Sequence, residues 1–245
     1  MDAKRADLLD LTQEGVVLTL TLNRPDARNA LNLALTEALV DAIHRFEADE
    51  SLRVLIVTGA DPAFCAGLDL NDFSAPDAPR ARVAEMIDMW ARISKPVIAA
   101  VNGAAVTGGL ELAMGCDFII ASERARFADT HTKIGALAGG GMTARLPHIV
   151  GSRWAKQFSF TSEPIDAATA LRIGLVNEVL AHDQLMERAA AVANTIASRD
   201  PDLVATVKRV IDQGALATLE EALRIEKEAL AERRQRGGMA WQVQK

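Results

Sequence analysis

The pattern of apolar and polar positions changes its period repeatedly along the chain. Residues 16–22 alternate Leu18, Leu20 and Leu22 with Thr19 and Thr21, which predicts a strand with one buried face. Asn23-Arg24-Pro25-Asp26 ends it as a turn. Asn32 then stands where a helix cap belongs, ahead of Leu35, Leu39, Ile43 and Phe46, whose spacings of three and four put them on one helical face. Residues 53–58 read as a short buried strand and 59–62 as a loop. A second helix is predicted over 80–93, with Val83, Ile87 and Trp90 on one side, and Pro96 blocks its continuation. Residues 97–101 form another buried strand, 103–109 a glycine-rich turn, 110–114 the first turn or two of a helix, and 118–121 a further strand. Strands alternating with helices through short loops predict an α/β domain whose strands are largely covered on both faces.

After about residue 182 the strand signal stops. Three helices follow over 183–198, 201–213 and 218–236. The last opens on Thr218-x-x-Glu221, a capping box, and closes at Gly237-Gly238. No linker rich in serine or proline precedes them, so residues 183–245 read as a helical extension of a core spanning 1–182.

Composition narrows the class. A chain of 245 residues that is 49% hydrophobic can build a sizeable core in one large domain with an appendage. The 27 Lys and Arg against 33 Asp and Glu leave a formal charge of −6. That balance argues against a nucleic-acid partner, which needs a basic face to displace counterions from phosphates. The two cysteines, Cys65 and Cys116, make no disulfide framework and suit a reducing compartment. The first ten residues alternate charge and apolar side chains, unlike a secretory leader, and no run approaches the roughly 18 apolar residues of a membrane span. The expectation is a cytoplasmic protein with no membrane partner.

The glycine-rich stretch, Asn102-Gly103-Ala-Ala-Val-Thr107-Gly108-Gly109-Leu-Glu111, runs from strand through turn to helix. Its glycines lack the Gly-x-Gly-x-x-Gly spacing of a dinucleotide fold, and no Gly-Lys-Ser/Thr closes it as a phosphate loop. What remains is a tight turn feeding a helix start, with unpaired N–H groups and Glu111 in the first turn. That arrangement suits a polarised carbonyl. Equally, the glycines can serve a close strand–helix crossing, with Glu111 offsetting the helix dipole.

Further stretches bear on that choice. Asn23-Arg24-Pro25-x-x-x-Asn29-Ala30-Leu31-Asn32, Ala63-Phe64-Cys65-Ala66-Gly67-Leu68-Asp69-Leu70 and Lys95-Pro96-Val97-Ile98-Ala99-Ala100-Val101-Asn102-Gly103 follow one another in order. With Glu111-Leu-Ala-Met-x-Cys116-Asp117, Gly135, Arg145-Leu146, Gly151 and Gly174-Leu175-Val176, this series resembles the crotonase superfamily, the enoyl-CoA hydratases and isomerases, over roughly residues 15–180. The resemblance implies a spiral of β-β-α turns, and C-terminal helices that build a homotrimer, commonly paired as a dimer of trimers. It implies an oxyanion hole made by the N–H groups of Leu68 and Gly108, and an adenine site on the backbone of Ala66, Leu68, Asp69 and Leu70. Arg24 and Arg28 are candidate phosphate contacts or simply solvated side chains.

By the same resemblance Glu111 is a general base that takes a proton from water. The family's second glutamate falls on His131, with Asp129 two residues earlier. An imidazole can deliver or accept a proton near neutrality; the alternative is a loop histidine satisfied by a backbone hydrogen bond. The N–H of Gly139 would help hold the reacting water. His131 is the main departure from the family, and two others accompany it: Thr107 replaces a glycine, and Ala138-Gly139-Gly140-Gly141-Met142-Thr143 lacks the usual proline and one glycine. Cys65 reads as a small buried residue with no histidine adjacent in sequence to make it a nucleophile. His44, His148 and His182 are isolated in sequence, and no cluster has metal-ligand spacing. Met86, Met89 and Trp90 suit an acyl pocket or an ordinary core.

The expected activity is hydration of a trans-2-enoyl-CoA to a 3-hydroxyacyl-CoA, with an acyl-CoA thioester as partner. No metal or cofactor is expected, since CoA arrives with the substrate. Double-bond isomerisation, decarboxylation or hydrolysis of a CoA thioester, and acyl-CoA binding without chemistry are the alternatives.

Overall fold

In a computed structural model of the chain, which describes residues 8–75 and 77–237, the Leu/Thr alternation becomes strand β2 (Val17–Leu22). It pairs antiparallel with β1 (Leu9–Glu14) through a turn at Gly15. The strand β1 is not anticipated by the pattern, because only Leu9 in it is buried and the rest faces solvent. Asn32 caps helix α1 (Leu33–Ala48), its side chain accepting from Leu35 N–H at 2.8 Å, and Leu35, Leu39, Ile43 and Phe46 are buried as expected.

The chain then repeats one unit. Strand β3 (Val54–Gly59) leads to β4 (Ala63–Cys65), a short helix α2 (Leu70–Phe73) and helix α3 (Arg80–Trp90). Strand β5 (Val97–Val101) leads to β6 (Ala104–Val106) and helix α4 (Gly108–Met114). Strand β7 (Phe118–Ser122) leads to β8 (Arg126–Ala128) and, after a 3-10 turn (Thr132–Ile134), helix α5 (Met142–Thr161). The first strand of each unit joins a six-stranded sheet ordered β1-β2-β3-β5-β7-β10, in which β2 through β10 run parallel. The second joins a four-stranded sheet ordered β4-β6-β8-β9, in which β9 (Ile165–Asp166) is antiparallel to β8. Helix α6 (Ala167–Arg172) and β10 (Glu178–Leu180) close the series. This is the β-β-α spiral that the resemblance implies. The stretch expected to be wholly a turn, 103–109, contains β6, a three-residue strand whose partners lie in distant parts of the chain.

Strands β3 and β5 are buried along their whole length because both faces are covered. Leu55, Val57, Ala99 and Val101 face the main core, whereas Val54, Ile56, Ile98 and Ala100 face helix α7 (Leu185–Ala197). Leu185, Ala189 and Ala193, one turn apart on α7, seal that side. For this reason the first compact unit extends to Ser198, beyond the boundary expected at residue 182.

The second unit begins at Arg199 and holds helices α8 (Pro201–Ala215) and α9 (Leu219–Gln235). Asp200 caps α8 and accepts from Arg233 at 2.8 Å; the Thr218 hydroxyl accepts from Glu221 N–H at 3.3 Å, as the capping box predicts. Gly237 follows α9 with a positive φ, and Gly238 lies outside the described residues. No helix of the described residues is long and apolar enough to cross a membrane.

Two consecutive residues between β2 and α1, Arg28 and Asn29, hold left-handed backbone, with φ of 50° and 57°. Asn tolerates that region, and here its side chain repays the cost: Nδ2 donates to the Ala60 and Ala63 carbonyls at 2.8 and 2.7 Å, and Oδ1 accepts from Arg24 N–H at 2.8 Å. Asn29→Ala strands these fully buried groups and places Ala in a strained conformation. It should lower the unfolding free energy by about 3 kcal/mol, read from urea denaturation. A change below about 1 kcal/mol would show that other groups or water replace those bonds.

Candidate active site

Segments 65–68 and 106–109 lie against each other more closely than side chains permit. A Cβ on Gly67 would sit 2.1 Å from Thr107 Oγ1, and one on Gly109 would sit 2.1 Å from the Cys65 carbonyl oxygen. Gly67 also has a φ of 94°. These glycines therefore serve close approach, as one of the two readings of the stretch holds, and the approach builds the other.

A parallel bridge joins Leu31 to Leu68: Leu31 N–H donates to the Gly67 carbonyl at 2.7 Å, and Asp69 N–H to the Leu31 carbonyl at 2.8 Å. In that pattern the N–H of Leu68 itself points away from Leu31. Gly108 opens α4, so its N–H has no partner within the helix. A Cβ on Gly108 would lie 2.9 Å from Leu68 Cδ1 and 3.8 Å from Gly67 Cα, so the two N–H donors occupy adjoining backbone.

Glu111 lies in the first turn of α4 and is only 2% exposed. Its Oε1 accepts from Gly140 N–H at 2.9 Å and Met142 N–H at 3.0 Å. Met142 is the first residue of α5, so the carboxylate also complements that helix's positive end. Both bonds fall on Oε1, and among the described residues Oε2 accepts none. A Cβ on Gly140 would come 2.7 Å from both Glu111 Oε2 and Ile87 Cδ1, so α3 borders the carboxylate through Ile87.

His131 precedes the 3-10 turn, and its Nδ1 lies 2.7 Å from Oδ1 of Asp129, which is 2% exposed. The Asp129 bond raises the pKa of His131 above the usual histidine range; burial opposes this, and the negative charge of Glu111 adds to it. Burial works against ionisation of Asp129, but hydrogen bonds from His131 and Ser159 outweigh it and hold its carboxyl below the usual range.

The family model for enoyl-CoA hydratase/isomerase matches residues 12–239. The chain belongs to this family. It is 40% identical over 228 residues to a short-chain-enoyl-CoA hydratase of Clostridium acetobutylicum, covering 91% of this chain and 87% of that one. Its fold is similar to the crystal structure of an enoyl-CoA hydratase from Bacillus anthracis, with a TM-score of 0.88 at 35% identity over 91% of this chain and 90% of that chain. An enoyl-CoA hydratase from Mycobacterium tuberculosis is 44% identical, with a TM-score of 0.76 over 94% of this chain and 100% of the other.

Within this family member the structure assigns several residues beyond their sequence reading. The Arg24 guanidinium bonds the Ala30 carbonyl and pairs with Asp69 at 2.9 Å, so it is spent on holding the loop instead of on a phosphate. Asp69 caps α2, accepting from Asn71 N–H at 3.1 Å. Arg28 is exposed, and its carbonyl accepts from Ala66 N–H at 3.0 Å, which puts it beside the 66–70 segment. Leu70 is exposed. The N–H groups holding Glu111 belong to Gly140 and Met142, one and three residues after Gly139; Gly139 itself is exposed. Asp129, Gly140 and Ile87 are the site neighbours that sequence reading left without a role, and the triple-glycine run was the one signal for Gly140.

Cys65 is fully buried, and burial pushes its thiol up to about 12, which is no nucleophile near neutrality. Met86 and Trp90 belong to the core. His182, isolated in sequence, is not isolated in the fold. Its Nδ1 meets Ser122 Oγ at 3.2 Å and its Nε2 meets Asp61 at 3.1 Å. Ser122 has no exposed surface and its oxygen already accepts from Arg124 N–H, so this trio ties strand ends together and carries no nucleophile.

Thr107, the departure from glycine, adopts φ 45° and ψ −113°. A β-branched residue there is strained. Thr107→Gly should raise the urea midpoint, because release of about 1–3 kcal/mol of backbone strain exceeds the roughly 0.5–1 kcal/mol that glycine loses in freedom. A lower midpoint would show that packing of the Thr107 side chain outweighs the strain.

Proposed function

We propose that this chain is an enoyl-CoA hydratase, adding water across the C2–C3 double bond of a trans-2-enoyl-CoA to give a 3-hydroxyacyl-CoA. One observation carries the reading: the buried Glu111 carboxylate, with Oε2 free, stands one turn from the Gly108 N–H and shares its surroundings with His131. Leu68 and Gly108 hold the thioester oxygen. Glu111 takes a proton from water as the water oxygen bonds to C3, and the double-bond electrons move toward the carbonyl, where the two N–H groups stabilise the enolate. His131 then delivers a proton to C2. The cycle closes when the proton on Glu111 returns to His131, so the net change is one added water.

The reaction draws on no metal or resident cofactor, and CoA enters with the substrate. Backbone at Ala66, Leu68, Asp69 and Leu70 receives the adenine, Arg28 stands ready for a phosphate, and Gly139 lies on the loop beside the reacting water. We place the protein in the cytoplasm, in keeping with its two free, buried thiols. We further propose a homotrimer, alone or as a dimer of trimers. Leu203, Val207 and Ile211 form an exposed apolar stripe on α8, which favours association.

Adding the protein to trans-2-enoyl-CoA should abolish the conjugated-thioester absorbance and yield a product heavier by one water. A product of unchanged mass would establish isomerisation instead. Glu111→Gln should lower turnover by about 10²–10⁴-fold while enoyl-CoA binding, measured by calorimetry, persists. Wild-type turnover in that variant would remove Glu111 from the mechanism.

A further inference from the structure

We propose that Asp129 is a positioning residue for this reaction: its carboxylate holds the Nδ1–H of His131, which leaves Nε2 as the nitrogen that carries the transferable proton and is turned to the substrate. The inference rests on the hydratase reading in which His131 protonates C2.

The geometry fixes the imidazole from several directions. Asp129 Oδ1 accepts both the Nδ1–H of His131 at 2.7 Å and its backbone N–H at 3.2 Å, a closed local ring that allows the side chain little rotation. The turn that follows is itself tied to α5, where Thr132 Oγ1 donates to the Ser159 carbonyl at 2.6 Å and lies 3.0 Å from Ser162 Oγ. Ser159 also bonds the Asp129 carboxylate. With Nδ1 committed as donor, the neutral ring has its lone pair on Nε2, and the charged ring has its transferable proton there.

Electrostatics supplies the second half. A lone imidazole in this half-buried position would lose its proton readily, because burial disfavours the charged form. Asp129 from the end of β8 and Glu111 from α4 are the charges that act on His131. Among the charged residues around the turn, Lys133 and, on α5, His148, Arg153 and Lys156 are exposed, while Arg145 reaches toward Asp88 at 3.8 Å. The Asp129 charge thus favours the protonated ring, the form that can give up a proton. An aspartate that merely closed the loop would have none of these effects on proton transfer.

The sign of the pH effect follows. Protonation of C2 needs the imidazolium, so His131 sets the alkaline limb, and kcat falls there as pH rises through the His131 pKa. Asp129→Asn keeps an acceptor for Nδ1–H but removes the charge. Its alkaline limb of kcat should move to lower pH by about one unit or more, with a tenfold loss of kcat on that limb, while KM for the enoyl-CoA is little changed. A folded Asp129→Asn with the wild-type pH profile would overturn the proposal. A direct reading on the wild-type protein keeps it testable should the variant not fold. Nitrogen-15 NMR of the imidazoles, with His131 assigned from His131→Gln, should find the Nδ1–H tautomer at high pH; the Nε2–H tautomer would overturn the assignment. Failure of the hydratase reading looks different: wild-type protein would leave enoyl-CoA unchanged, whatever the tautomer and titration of His131.

Discussion

The structure turns on one buried carboxylate. Glu111 sits at the start of α4 and receives the Gly140 and Met142 N–H groups at the start of α5, so one side chain joins two units of the spiral. A charged group at 2% exposure is tolerated only when hydrogen-bonded, and these two donors are what the burial requires. The same contact fixes which oxygen is left for chemistry. Stability and the proposed catalysis therefore make the same demand of this residue, and the loop before α5 is held by the carboxylate proposed to act beside it.

Close packing by small residues makes that meeting possible. Gly67, Gly108 and Gly109 let two β-to-α connections lie against each other, and Gly140 makes room for the Glu111 carboxylate and Ile87. The cost is local strain, visible in the backbone of Thr107. Thr107 N–H still bonds the Ala128 carbonyl and its own carbonyl receives Glu111 N–H, so neighbouring structure over-determines the turn. Strain of this kind collects where donors must be aimed before substrate arrives, which is what a preorganised oxyanion hole needs.

A histidine in place of a second glutamate changes the charge at that position. A protonated imidazole beside Glu111 alone would be a net neutral pair. Asp129, two residues earlier, restores the negative charge and fixes the ring. The substitution thus reads as one member of a pair, Asp129 with His131, and not as the loss of a carboxylate.

Much of this was legible in the chain. Strands β3, β5 and β7 stand out because parallel strands covered on both faces are largely apolar, and α1 announces itself through Asn32 and its apolar stripe. Local hydrogen bonding and periodicity set those features, and ordered motifs named the family and pointed to Leu68, Gly108, Glu111 and His131. Strand β1 escaped because a solvated edge needs little apolar pattern, and β6 because three residues in a glycine-rich stretch become a strand only through distant partners. The donors to Glu111, 29 and 31 residues downstream, and the commitment of Arg24 to Asp69, 45 residues away, were likewise invisible. What the sequence determined by itself was most of the elements and the family, since both rest on periodicity and ordered motifs among near neighbours. Which oxygen of Glu111 is free, which nitrogen of His131 meets Asp129 and which arginine pairs with Asp69 were decided by the tertiary structure, because each depends on a hydrogen-bond partner whose place only the folded chain fixes.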